Sequence, residues 1–133
     1  MNILIIDAQG GGIGKQLIAA IRENIQDAVI TAVGTNTTAT AAMLKAGADY
    51  AATGENAVVV NSRKADVIIG PIGIVIADAM LGEITPRMAN AVAQSDARRL
   101  LIPVSHCDNI VVGAGGLNIG KLIQAVVAEL QKW

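Results

Sequence analysis

The sequence predicts an α/β fold, a three-layer doubly wound domain with a mainly parallel sheet of five to six strands, expected order 3-2-1-4-5, and helices on both faces. Three observations carry this prediction. Short runs rich in Ile and Val alternate with segments of helical period, the pattern of a parallel sheet buried on both faces. Hydrophobic residues make up 53% of the 133 residues and charged residues only 16%, so most positions must be buried within the fold or against another copy. The first two elements are joined by a glycine-rich turn, Asp7-Ala8-Gln9-Gly10-Gly11-Gly12-Ile13-Gly14-Lys15, that leads from an apolar run into an amphipathic one.

Strand one is read over Asn2 to Ile6, and the helix from Ile13 to about Asn24 gathers Ile13, Leu17, Ile18 and Ile21 on one stripe, opposite Lys15, Arg22 and Glu23. Strand two is Ala28 to Val33. Gly34-Thr35-Asn36 then turns the chain into a helix from Thr37 to Ala46, with Gly47 where a left-handed cap ends a helix. Asp49 to Ala52 is a weak third strand. Gly54-Glu55-Asn56 opens a helix to about Lys64, against the β preference of Val58-Val59-Val60. Strand four, Asp66 to Ile69, runs into a second glycine loop, Gly70-Pro71-Ile72-Gly73. Ile74 to Leu81 fits strand and helix equally well. Thr85 before Pro86 is an N-cap and first-turn pair for a helix to about Gln94. Strand five is Arg99 to Val104, Asn109 to Val112 is a sixth strand or half of a hairpin, and Leu117 to Lys132 is the final helix. Ile13-Gly14-Lys15 recurs as Ile119-Gly120-Lys121, which reads as two helices opened by similar turns rather than as a repeat. No linker divides the chain, so residues 1–133 are expected to form one domain.

Composition removes several function classes. The longest charge-free apolar stretch, Val67 to Ala77, is broken by Gly70, Pro71 and Gly73 and is far short of the roughly 20 residues a membrane span needs. No secretory signal is visible, and a cytoplasmic location is expected. A single cysteine, Cys107, leaves no internal disulfide and no multi-cysteine metal cluster, and no metal site is expected. Scattered charges summing to −1, with Tyr50 and Trp133 the only aromatic residues, argue against nucleic-acid binding.

The glycine turn is the main functional clue. It exposes backbone N–H groups and the positive end of a helix dipole to an anion, which predicts a small phosphorylated ligand, a nucleotide above all. Three phosphate-binding templates overlay it. The P-loop finds Gly14-Lys15, but Gln9 stands at its first glycine and Gln16 where the Mg²⁺-binding hydroxyl belongs, which disfavours triphosphate hydrolysis. The dinucleotide fingerprint GxGxxG finds Gly10 and Gly12, with Lys15 at the third glycine. The short-chain dehydrogenase turn TGxxxGIG matches at Gly12-Ile13-Gly14, with Asp7 and Ala8 replacing its first two residues. In that overlay Gly34, Thr35 and Asn36 stand where an acid would hold a ribose, Asp49 resembles the acid near adenine, and Gly70, Pro71, Ile72 and Gly73 resemble the loop behind the cofactor. The expected ligand is therefore a dinucleotide of the NAD(P) type, held by Asp7, Gln9 and the Gly10–Gly14 turn in a Rossmann-like fold. The conventional dehydrogenase mechanism is excluded, because no Tyr-x-x-x-Lys pair exists. The alternative for the turn is a tight strand-to-helix connection without ligand.

Catalytic candidates are few. Asp7 orients a ligand, binds a cation or caps its own turn. His106 and Cys107, in Ser105-His106-Cys107-Asp108, offer a proton shuttle and a thiol, but neighbours on an extended segment point apart and do not form a base–nucleophile pair. Asp78 and Glu83 flank Met80-Leu81 and either face the pocket or lie on a solvated or subunit surface, the second reading being preferred. Rival functions are a non-enzymatic assembly or regulatory module, its homo-oligomer contact made by Ile72 to Leu81, and a small enzyme acting on a phosphorylated metabolite.

The run Ile6 to Lys15, with Gly34-Thr35-Asn36, Ala42 to Ala48, Thr53 to Ala57 and Gly70 to Ala77, resembles a family of short uncharacterised bacterial proteins, a domain of unknown function. The resemblance covers about the first 105 residues. It supports the fold and implies no activity.

Overall fold

The computed structural model describes residues 1–104 and 109–133. Strands β1 (Asn2–Asp7), β2 (Val29–Gly34), β3 (Tyr50–Thr53), β4 (Val67–Pro71) and β5 (Arg98–Ile102) form a five-stranded parallel sheet in the order β3-β2-β1-β4-β5. This is the expected order. Ile3, Leu4, Ile5 and Ile6 are each at most 1% exposed, because β1 lies at the centre and is covered on both faces.

Alternation along the strands divides the interior into two cores. Ile3 and Ile5 join Ile30, Ala32 and Ile69 under α1 (Gly12–Asn24), α2 (Thr37–Lys45) and α5 (Ile119–Leu130). Leu4 and Ile6 join Val33 and Ile68 under α3 (Glu55–Ser62) and α4 (Pro86–Gln94). Side-chain caps fix three helix starts: Asn36 accepts from Ala39 N–H, Thr85 from Met88 N–H and Asn118 from Lys121 N–H, each worth about 1 kcal/mol. Asn118 also explains why α5 opens two residues later than Leu117. The three valines of α3 adopt helix because Val58 and Val59 are buried on the side that meets α4, and packing overrides a weak propensity.

Two expectations are corrected. Ile74–Leu81 is neither strand nor regular helix. A 3-10 turn, Ile72–Val75, leads into a chain of further turns, closed by Ala79 N–H to Ile76 O and Gly82 N–H to Asp78 O. Its apolar side chains have no period because Ile74 and Met80, with Ile84 beyond them, drop singly into the second core. This loop holds three non-glycine residues in the left-handed region, Asp78, Met80 and Leu81, at φ 66, 57 and 58°. Each costs on the order of 1 kcal/mol and is kept there by the surrounding contacts. The other correction concerns the sixth-strand reading of Asn109–Val112: the sheet has five strands, Asn109 makes only an isolated bridge, and Ile110 and Val112 stand 85% and 93% exposed; the hairpin reading turns on residues 105–108, which lie outside the described residues. No helix among the described residues is long and apolar enough to cross a membrane.

Candidate functional site at the carboxyl edge of the sheet

Parallel strands deliver their following loops to one edge, and in doubly wound sheets that edge is where ligands bind. Here the loops after β1, β2 and β4 meet. Asp7 ends β1 with its carboxylate buried at 4% exposure, accepting from Ala8 N–H at 2.8 Å and from Gly14 N–H at 2.7 Å. The chain then passes through Gln9 at φ 51° and Gly11 at φ 73° before α1 begins. A Cβ on Gly11 would lie 2.9 Å from Ala39 Cα, and one on Gly14 would lie 2.5 Å from Met43 Sδ. Gly11 is therefore demanded by packing against the α2 backbone and by its positive φ, and Gly14 lies close under the flexible Met43 side chain. Gly10 and Gly12 are different: a Cβ at either meets nothing within 4 Å. Their N–H groups have no acceptor among the described residues.

At the end of β2, Gly34 packs so closely on α2 that a Cβ would sit 2.5 Å from Thr40 N. Thr35 N–H donates to Asp7 O at 3.1 Å and joins the two loops. Gly70 plays the equivalent part in β4, where a Cβ would lie 2.4 Å from Ile6 O. Pro71 and Gly73 are buried beyond it, and Ile72 is half-buried.

The residue that ties this edge together is Glu83. One oxygen, Oε1, accepts from Gln9 N–H at 2.9 Å, from the Thr35 hydroxyl at 2.6 Å and from Asn36 Nδ2 at 2.8 Å. Asn36 Nδ2 also donates to Gln9 O at 2.9 Å. The sequence context of Glu83 predicts a solvated or subunit surface. The structure instead sets it against the loops after β1 and β2, taking a position where the fingerprint expects an acid from β2 itself.

The two carboxylates are perturbed in opposite directions. Burial pushes Asp7 above its ordinary value, against the pull of the Gly14 and Ala8 N–H groups and with a further push from the Glu83 charge. The Thr35 hydroxyl, followed by Gln9 N–H and Asn36, holds Glu83 below its ordinary value, while partial burial opposes them. The first turn of α1 thus already has a carboxyl group of the chain against it, through Asp7 and Gly14 N–H.

Two cavities lie along this edge. A small one of about 180 Å³ is lined by Asp7 through Ile13 together with Pro71 and Met80. A larger one of about 430 Å³ lies beyond β5, with Pro103, Val104, Ile110, Leu117, Ile119 and Leu122 among its lining residues. They belong to neighbouring strand ends, since Pro71 pairs with Ile102 across β4 and β5.

Asp49 does not join the site. It precedes β3 and so stands at the amino edge, where it accepts from Ile30 N–H at 2.8 Å and from the Arg22 guanidinium. Both contacts hold its pKa below the ordinary value, Ile30 first. Its likeness to an adenine-binding acid is corrected by this placement, because a sheet separates it from the glycine turn. His106 and Cys107 lie outside the described residues.

The family described as a domain of unknown function, DUF3842, matches residues 2–133. The chain belongs to that family. No curated protein matches this DUF3842 member by sequence. Among solved structures, its fold is similar to that of a dodecameric FMN-dependent Ubix-like decarboxylase from Escherichia coli O157:H7, at 16% identity and a TM-score of 0.54, covering 99% of this chain and 93% of that one. The similarity supports the α/β, Rossmann-like reading of the fold. The expectation of an NAD(P)-type dinucleotide is corrected: the protein that shares the fold is FMN-dependent, and in this chain Glu83 takes the donors at the end of β2 that the adenosine half would need.

Proposed function

We propose that this DUF3842 protein binds a flavin mononucleotide at the carboxyl edge of its sheet, with the phosphate on the N–H groups of Gly10 and Gly12 and the ring toward the end of β5. The observation that carries the reading is the contrast within the glycine turn. Gly11 and Gly14 sit close against α2, whereas Gly10 and Gly12 face open space with free donors, as close approach of a phosphate requires. The larger apolar-lined cavity is two strand spacings from β1, roughly 10 Å, a span that suits a sugar-alcohol chain between phosphate and ring. The FMN dependence of the protein with the similar fold is consistent with this choice. A bound flavin would supply the reactive ring, and these residues would supply position and electrostatics.

The test is titration of the purified protein with FMN, riboflavin and NAD, followed by flavin fluorescence. FMN is expected to bind saturably in the micromolar range, riboflavin at least about tenfold more weakly for want of the phosphate, and NAD not at all. Gly12→Asp keeps the fold, since a side chain there has room, and removes FMN binding by setting a carboxylate against the phosphate. No saturable FMN binding at millimolar ligand refutes the proposal.

Self-association is part of the same reading. Leu81, Ile110 and Val112 are 92%, 85% and 93% exposed, and the protein of similar fold is dodecameric. Within Ile72–Leu81 the contact falls to Leu81, because Ile74 and Met80 are committed to the core. Light scattering on the wild type and on Leu81→Asp tests it, a monomeric wild type being the refuting result.

A further inference from the structure

The outer groove between α3 and α4 has no part in the site at the carboxyl edge. It encloses about 300 Å³. Arg63, Arg87, Asn90, Gln94, Ser62 and Ser95 contribute its polar lining, and no carboxylate lines it among the described residues. In a chain of net charge −1, it concentrates two guanidinium groups and two side-chain amides.

Those donors are idle. Among the described residues the ion pairs are Arg22 with Asp49 and Lys132 with Glu129, so Arg63 and Arg87 have no carboxylate partner. Arg87 is the second residue of α4, in the first turn, where a cation opposes the helix dipole. Packing therefore gives no electrostatic reason for it. The floor supplies an independent observation. Ser62 is 2% exposed and its hydroxyl has no hydrogen-bond partner, although buried hydroxyls are nearly always satisfied. The neighbouring Ser95 hydroxyl is satisfied, donating to Ser62 O at 2.6 Å and accepting from Ala97 N–H at 3.0 Å. It pins the ends of the two helices together and leaves the Ser62 hydroxyl unused.

We propose that the α3–α4 groove is a binding site for a small, multiply charged oxyanion, a phosphoryl- or carboxylate-bearing metabolite, held by Arg63 and Arg87 with Ser62 beneath it. Guanidinium groups match the oxygen geometry of both anions with paired N–H donors. Asn90 and Gln94 add neutral donors on the α4 side, and a rotated Ser62 hydroxyl gains the acceptor it lacks. The proposal stands independently of flavin binding at the carboxyl edge.

Calorimetric titration at constant ionic strength with inorganic pyrophosphate, citrate and orthophosphate, and with acetate as the singly charged control, tests it. Pyrophosphate or citrate is expected to bind saturably and acetate not. Made in the Gly12→Asp background, where the glycine turn accepts no phosphate, Arg63→Gln and Arg87→Gln should each weaken binding by about tenfold, one charge-assisted contact each, and together abolish it. Ser62→Ala should weaken binding while raising the melting temperature of the free protein, which separates a ligand-facing hydroxyl from a merely structural one. Gly12→Asp should leave this binding unchanged. Absence of saturable heat overturns the proposal. So does binding that survives the double arginine variant, or binding lost in Gly12→Asp, which would assign the anion to the glycine turn.

Discussion

Replacing Glu83 by Ala removes one acceptor and strands three donors, Gln9 N–H, the Thr35 hydroxyl and Asn36 Nδ2. A hydrogen bond of this kind contributes about 1 kcal/mol net, more when the acceptor is charged. Gln9 is exposed and Thr35 and Asn36 are half-buried, so water regains part of each bond, and the loss should total about 1–2 kcal/mol. For a chain of this length that is a fall in melting temperature of roughly 3–10 °C. The pH dependence has a definite sign. Glu83 is an acid held below its ordinary value of 4.5, so its contribution is complete above that pH and is lost as the pH falls through the folded-state value. Asp7 behaves oppositely. Its folded-state value is raised above 3.8, so its contribution is present below 3.8 and is lost as the pH rises through that raised value. Comparing wild type with Glu83→Ala largely cancels Asp7 and isolates Glu83: the gap in melting temperature should be widest at neutral pH and close on acidification. Glu83→Gln keeps a neutral acceptor and should lose less stability, and its melting temperature should lack the Glu83 acid transition. Calorimetry across pH and amide exchange at Gln9 make the measurement. If Glu83→Ala melts with the wild type at neutral pH and the Gln9 amide exchanges no faster, the three bonds do not hold the edge together.

Gly70→Ala should cost at least about 2 kcal/mol, because its Cβ would stand 2.4 Å from a backbone oxygen of β1 and the two central strands cannot part cheaply; an unchanged melting temperature would refute that close approach. Gly14→Ala should destabilise less, since the obstructing atom is the flexible Met43 side chain, and a loss as large as that of Gly70→Ala would show that Met43 cannot yield. Asp49→Ala should cost under about 1 kcal/mol as a partly exposed pair and leave FMN affinity unchanged, a several-fold change in affinity being the contrary result. Asn118→Ala should cost about 1 kcal/mol and speed amide exchange at Lys121, its capped donor; equal exchange would show that the cap contributes nothing.

The central strands were legible in the sequence because burial on both faces leaves an unbroken apolar run, as in Ile3–Ile6 and Val67–Ile69. The N-cap at Thr85 was legible for a similarly local reason, a side chain bonding three residues ahead. Glu83 was not. Its donors lie 74, 48 and 47 residues away, and nothing in its own neighbourhood distinguishes it from a solvated acid. Ile74–Leu81 was ambiguous because periodicity reads repeating faces, whereas this loop buries single side chains at irregular intervals. Asp49 resembles an adenine-binding acid by its place in the sequence alone, because a residue that precedes a parallel strand belongs to its amino end.

The left-handed residues of the loop ahead of Glu83 bear on the order in which the molecule assembles. Asp78, Met80 and Leu81 adopt conformations an isolated peptide would abandon, so the loop has no structure of its own to nucleate. Its shape depends on the strand ends it packs against, through the Glu83 hydrogen bonds and the burial of Ile74, Met80 and Ile84. Such a segment is among the last pieces to settle in folding and among the first to open in the native state. Cut out and grafted onto another scaffold, it would carry its sequence and lose its shape.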